Sequence, residues 1–329
     1  MNQPDRDSPP GGSLSVCPRE RVTTERTELT ISTDTTTDLY PTRQAAQPTV
    51  LDRTEPVVHG SAGDGPFDAA GLADLERTGY AQIPDLVTAD EVARMNAELE
   101  RLAQDPKVLD DERTIVEADS VADIAVRSIF QVHETNEVFR AIAHDPRVVD
   151  RARQVLGSDV YLHQSRVNFK PGFFGKDFSW HSDFETWHAE DGMPTPRAIS
   201  VSISLTDNYT FNGPLMIMPG SHRKYVSCVG ETPDDNYKQS LVMQGAGTPD
   251  RAVLEEFAQT YGIDVLTGSA GGATMFDSNC MHASNGNVTP FARSNVFLVF
   301  NSVENACVEP FAAPTPRPDF LGARDHTAI

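Results

Sequence analysis

The hydrophobic pattern changes character near Gly157. Upstream, apolar residues recur at helical spacing. In VARMNAELERLA, Val92, Met95, Leu99 and Leu102 fall three or four apart, which lines one face of a helix. Thr88 and Glu91 stand just ahead as a capping box. Residues 121–142 (VADIAVRSIFQVHETNEVFRAI) predict a further helix, and 146–156 (PRVVDRARQVL) another, with Pro146 in its first turn. Together they predict a helical layer over about 67–156 that covers a sheet.

Downstream the runs are short and β-rich, separated by Gly, Pro, Asn and Asp: VYLHQSRVNFK, RAISVSISLTD, PLMIMPG, GGATMFDS and RSNVFLVFNSV. One helix, about 249–261, interrupts them. With no βαβ rhythm and no internal repeat, the pattern predicts a mainly β protein with flanking helices. Its core is an antiparallel barrel or jelly roll over about 158–305. Residues 1–33 read as a disordered extension. The chain to about residue 66 reads as extended polypeptide hugging the surface, and 311–329 as an irregular tail. A single domain then spans about 34–310.

Composition narrows the classes. The chain has 329 residues and a formal charge of −21, so it lacks the basic face that nucleic acid or an anionic membrane surface requires. No apolar run approaches the roughly 18 residues that span a bilayer, and no signal-peptide core opens the chain, which makes the cytoplasm the default location. Cys17, Cys228, Cys280 and Cys307 are widely spaced, neither a disulfide framework nor a zinc ribbon.

The candidate chemistry sits in residues 178–194, FSWHSDFETWHAEDGMP. On an extended strand, His181 and Asp183 would project from one face. A distant histidine completes the two-His-one-carboxylate set that holds Fe(II) and leaves open positions. His282 is the candidate. Arg293 follows soon after it, and a hairpin there would bring a guanidinium beside the metal to grip the far carboxylate of a dicarboxylate co-substrate. That order of residues is the pattern of 2-oxoglutarate-dependent oxygenases. His188 and Glu190 form a rival pair, disfavoured because they precede a turn. His133, His144 and His222 read as structural.

Longer blocks carry a resemblance. VYLHQSRVNFKPGFFGKDFSWHSDFETWHAEDGMP, SISLTDNYTFNGPLMIMPGSH and FDSNCMHASNGNVTPFARSNVFLVFNSVEN closely resemble the ectoine hydroxylases, a group within the phytanoyl-CoA dioxygenase-like Fe(II)/2-oxoglutarate oxygenases. The similarity runs from about Thr37 to about Pro310; the first 33 or so residues and Pro196 depart from it. It implies a double-stranded β-helix (jelly-roll or cupin core) flanked by helices, and a homodimer. It also implies hydroxylation of ectoine to 5-hydroxyectoine, with O2 consumed and succinate and CO2 released. By matching positions, His181, Asp183 and His282 would bind iron. Arg293 and Ser284 would hold the far carboxylate of 2-oxoglutarate, with Asn168, Phe178 and Ser202 lining its pocket. Gln164, Arg166, Thr186, Trp187, Phe276 and Phe297 would surround ectoine, whose cationic amidinium ring suits the aromatic faces. Two other readings stay open: an oxygenase of this type acting on another small amino-acid-like substrate, and a non-catalytic cupin-type binding protein.

Overall fold

The computed structural model describes residues 38–118, 124–240 and 246–329. The extension expected over 1–33, and residues 121–123 of one expected helix, lie outside the described residues.

Four short strands precede Gly157: β1 (Val50–Asp52), β2 (Tyr80–Ile83), β3 (Thr114–Ala118) and β4 (Ile124–Phe130). Nine follow it. They are β5 (Val160–Lys170), β6 (Phe178–His181), β7 (Ala198–Ser204), β8 (Leu215–Ile217) and β9 (Lys224–Val226), then β10 (Asp264–Leu266), β11 (Ala273–Asp277), β12 (His282–Ser284) and β13 (Arg293–Ser302). The helices that cover them are α1 (Ala69–Thr78), α2 (Ala89–Gln104), α3 (Pro106–Leu109), α4 (Val132–Thr135), α5 (Glu137–Ala143) and α6 (Pro146–Leu156). Later come α7 (Asp183–Thr186), α8 (Asn236–Ser240) and α9 (Arg251–Tyr261). The Thr88–Glu91 capping box forms at the start of α2, and Pro146 opens α6.

The strands form a seven-stranded sheet, β2-β11-β7-β13-β5-β4-β3, a four-stranded sheet, β10-β8-β12-β6, and the pair β1-β9, all antiparallel. Among the described residues no sheet closes on itself. The expected double-stranded β-helix (jelly-roll) core of a mainly β protein is therefore corrected to a mixed α/β fold with several antiparallel sheets. Closure requires a ladder between edge strands. Here β2 and β3 end the large sheet and β6 and β10 the small one, with no ladder joining those edges. Three strands from the part of the chain expected to be helical widen the large sheet.

One of them overturns a predicted helix. Residues 124–130 are strand β4, paired to β5 through Ser128↔Asn168, Ile129↔Val167 and Phe130↔Arg166. A short apolar run fits either period, and a neighbouring strand with free backbone groups decides for the ladder. Helix resumes as α4 and α5, split at Asn136, whose side chain accepts from the Val138 and Phe139 N–H groups.

Alternation gives the large sheet two faces. Val167, Val201, Ile203, Met275, Val296 and Leu298 join Leu75, Met95, Phe139 and Val155 of the helices in the main core. The intervening residues face the small sheet across a cavity that Gln164, Arg166, Asn168, Ser202, Asn295 and Phe297 line. The segment after Asp38 does more than hug the surface, because Tyr40, Thr42 and Arg43 are buried. Residues beyond 305 form no helix or strand, yet Leu321 is fully buried. Among the described residues no helix is long and apolar enough to cross a membrane.

Candidate metal centre and co-substrate cavity

Strand pairing sets the centre of the site. β6 and β12 run antiparallel with His181 directly opposite His282, and the imidazole centroids lie 4.2 Å apart. The strand ends at His181. Ser182 then caps α7 by accepting from the Glu185 N–H, and Asp183 is the first residue of that helix. The i, i+2 strand geometry expected for His181 and Asp183 is thus replaced by a strand-to-helix junction. Asp183 Oδ1 lies 3.6 Å from His181 Nε2, and Oδ2 lies 3.8 Å from His282 Nε2. Among the described residues, these three form the group whose ligand atoms lie within 4.8 Å of one another.

Backbone carbonyls fix the tautomers. His181 Nδ1 donates to Ser179 O (2.7 Å) and His282 Nδ1 to Cys280 O (3.0 Å). Each ring therefore turns its Nε2 lone pair toward the carboxylate, the outer-shell arrangement of metal-binding histidines. Burial, reinforced by His181, lowers His282 to about 4, so it is neutral at pH 7. Burial alone would raise Asp183, but His282, His181 and Arg166 more than offset it and hold the carboxyl below its usual range. Two imidazoles that turn Nε2 toward an ionised carboxylate are the donor set Fe(II) takes.

The rest of the cavity is built from the large sheet. β12 and β13 belong to different sheets, so the expected hairpin between them does not form; Arg293 instead faces His282 across the cavity they both line. The Arg293 guanidinium donates to Asn208 Oδ1 (3.0 Å) and Gly213 O (3.2 Å), and no described carboxylate pairs with it. Burial lowers it to about 10, which leaves it cationic at neutral pH. Lys170 donates to Ser284 Oγ (2.9 Å) and Asn285 O (2.6 Å). Asn168 accepts from Ser128 (2.8 Å), and Asn295 donates to Ser202 (2.8 Å). Phe178 completes that wall. A buried, uncompensated guanidinium near further donors fits the outer carboxylate of a diacid.

Elsewhere in the cavity Gln164 donates to Leu321 O (2.6 Å) and accepts from Arg166, whose guanidinium lies 4.2 Å over the Phe297 ring. Thr186 and Trp187 line the same space. Phe276 does not reach it; its ring packs 5.0 Å from His282 and 5.9 Å from Phe297. Sequence reasoning missed Lys170, Asn295 and Arg317 and weighed Glu190 only as half of the rival pair; all four line the cavity. A signal existed for the first two. The alternation that points Gln164 and Arg166 inward continues to Asn168 and Lys170, and Arg293, Asn295 and Phe297 follow the same rule.

The rival pair is engaged elsewhere. His188 lies on a wide π-helical turn, Trp187–Asp191. Its Nδ1 donates to Met193 O (2.8 Å), its Nε2 meets Asp38 (3.0 Å), and its ring stacks on Phe311. Glu190 pairs with Arg43 (2.7 Å), which also forks onto Glu185 through contacts of 2.9 and 2.8 Å. Next on the turn, Asp191 takes two bonds from Arg317 (2.8 and 2.6 Å) and one from His163 (3.0 Å). A Cβ on Gly322 would stand 2.6 Å from the Asp191 carboxyl carbon, so the bare backbone there is a packing requirement.

The family model for phytanoyl-CoA dioxygenase (PhyH) matches residues 75–295, and the chain belongs to that family, within its ectoine dioxygenase group. The ectoine dioxygenase of Streptomyces coelicolor is 58% identical over 302 residues, covering 92% of this chain and 100% of that one. A crystal structure of EctD from S. alaskensis with bound Fe superposes with a TM-score of 0.79 at 44% identity, covering 89% of this chain and 96% of that one. The same enzyme with 2-oxoglutarate and 5-hydroxyectoine also gives a TM-score of 0.79 at 44% identity, covering 88% and 96%.

Two outcomes follow from the geometry. His181→Ala loses bound iron, whereas His188→Ala retains one equivalent at some cost in stability; metal analysis of both purified variants checks this. The second concerns pH. Burial would lower His163, but Cys307 and Asp191 more than offset it and raise it to about 9. A raised folded-state value stabilises fully below the unfolded value of about 6.5 and is lost as pH rises through about 9. Urea unfolding should therefore show on the order of 1–3 kcal/mol lost across that window, with the slope absent in His163→Gln.

Proposed function

We propose that the chain hydroxylates ectoine to 5-hydroxyectoine with Fe(II), 2-oxoglutarate and O2. The observation that carries this reading is the pairing, in one cavity, of the His181–Asp183–His282 cluster with the uncompensated cation of Arg293. Iron held by those three side chains would activate O2, the oxidant, so that one oxygen enters a C–H bond while the other is taken up as 2-oxoglutarate becomes succinate and CO2.

The chain's own residues do the positioning. Arg293 takes the far carboxylate of 2-oxoglutarate, with Lys170 and Ser284 beside it, and Asn168, Phe178 and Ser202 bound the space around its carbon chain. That directs the keto-acid end toward the metal. Arg166 and Gln164, linked to each other, offer donors to the ectoine carboxylate. Arg317 lines the same cavity while forked onto Asp191. Thr186, Trp187 and Phe297 enclose the ring, while Phe276 holds the His282 imidazole in place from behind. Burying the reacting groups excludes water and fixes which ring carbon meets the metal, so orientation replaces a bimolecular encounter.

The test is direct. Purified enzyme with Fe(II), 2-oxoglutarate and ectoine should yield a product heavier by one oxygen, with one succinate per product. Succinate without that product would point to a different small substrate, and neither product nor succinate would sink the oxygenase reading. In the same assay Arg293→Ala should raise the KM for 2-oxoglutarate by about 100-fold, the scale for removing one partner of a buried charged pair, with bound iron unchanged.

A further inference from the structure

The cavity is unbalanced in charge. Arg166, Lys170, Arg293 and Arg317, the last already forked onto Asp191, line it, against the carboxylates of Asp183 and Glu190. Asp183 faces the two imidazoles of the metal cluster. Glu190, only 2% exposed, is the remaining lining carboxylate. Its Oε1 accepts from Arg43 Nη1 (2.7 Å) and Asn236 Nδ2 (2.8 Å), while its Oε2 takes no hydrogen bond from any described residue. Arg43 is shared between Glu185 and Glu190, and Arg317, forked onto Asp191, lies near enough to feel the Glu190 charge.

An ectoine ring brings a cation into this mostly cationic space. The aromatic faces meet it only in part: Phe276 lies outside the cavity and the face of Phe297 carries the Arg166 guanidinium, which leaves Trp187. A buried anion with a free acceptor is what a desolvated amidinium requires.

We propose that Glu190 is the specificity-determining residue for the substrate's cationic ring, its free Oε2 receiving a ring N–H of the amidinium. Arg43 and Asn236 anchor the other oxygen and aim the carboxylate. The proposal rests on the ectoine reading above and extends it. The site then selects small cyclic amidinium zwitterions and discriminates against rings that carry only the carboxylate, since such rings leave Glu190 buried without a partner.

The full-length, iron-loaded enzyme and Glu190→Gln decide it, the amide having nearly the same shape without the charge. For the variant, the KM for ectoine should rise about 10- to 100-fold, the range of one charge-assisted hydrogen bond, with kcat changed far less. The inhibition constant of cyclohexanecarboxylate, a six-membered ring with a carboxylate and no amidinium, should not rise and should fall, because the variant no longer leaves a buried charge without a partner. An ectoine KM near the wild-type value overturns the proposal. So does an equal weakening of both molecules, which would make Glu190 a support for cavity shape. If the amide variant does not fold, Glu190→Asp carries the same comparison: it keeps the charge against Arg43 but withdraws it from the cavity. Wild-type enzyme that fails to turn over ectoine would instead remove the underlying reading.

Discussion

Register between β6 and β12 is the constraint on which the rest of the site depends. His181 and His282 meet because they are cross-strand partners. A slip of one residue would turn their side chains to the opposite face, since side-chain direction alternates along a strand. Strand pairing alone does not supply the third ligand. The chain must leave the sheet within one residue and enter a helix, which the Ser182 cap accomplishes. Backbone geometry thus assembles the cluster, and backbone carbonyls choose which ring nitrogen faces the carboxylate through the two Nδ1–H bonds.

Around that centre the fold manages an unusual load of buried charge. Arg43 with Glu185 and Glu190, and Asp191 with Arg317 and His163, both anchor on α7 or the turn that follows it. They tie this short stretch to the segment after Asp38 and to the segment beyond residue 305. Removing one member of such a group leaves the others buried and uncompensated, a loss of about 3–5 kcal/mol. Helix α7 and its extension are held from both sides, and the residues that line the cavity from them are correspondingly fixed.

The centre was legible in the sequence because its chemistry is concentrated in few residues: His181, Asp183, His282 and Arg293 all line the one cavity. Their local geometry was not. The expected strand pair is a strand–helix junction, and in place of the expected hairpin the chain crosses from one sheet to the other, because both depend on non-local pairing. For the same reason β4 read as helix: its period is ambiguous until β5 lies beside it. The open sheets escaped notice because closure depends on which edges meet. Arg43 carried no signal at all, standing alone in a stretch without periodicity and acquiring its role only from Glu185 and Glu190, far away in sequence. Lys170, by contrast, was within reach of the alternation already applied to its neighbours.

The division of the cavity between two sheets has one more consequence. The metal cluster belongs to the small sheet and its adjoining helix, whereas Arg293 belongs to the large sheet. Their separation is therefore a property of how the layers are spaced, not of any single loop. In the proposed chemistry the two layers act as the jaws of a caliper. A 2-oxo diacid held by Arg293 at one jaw would present its keto-acid end to His181, Asp183 and His282 at the other. Core packing remote from either jaw thereby sets how far apart the two ends are held.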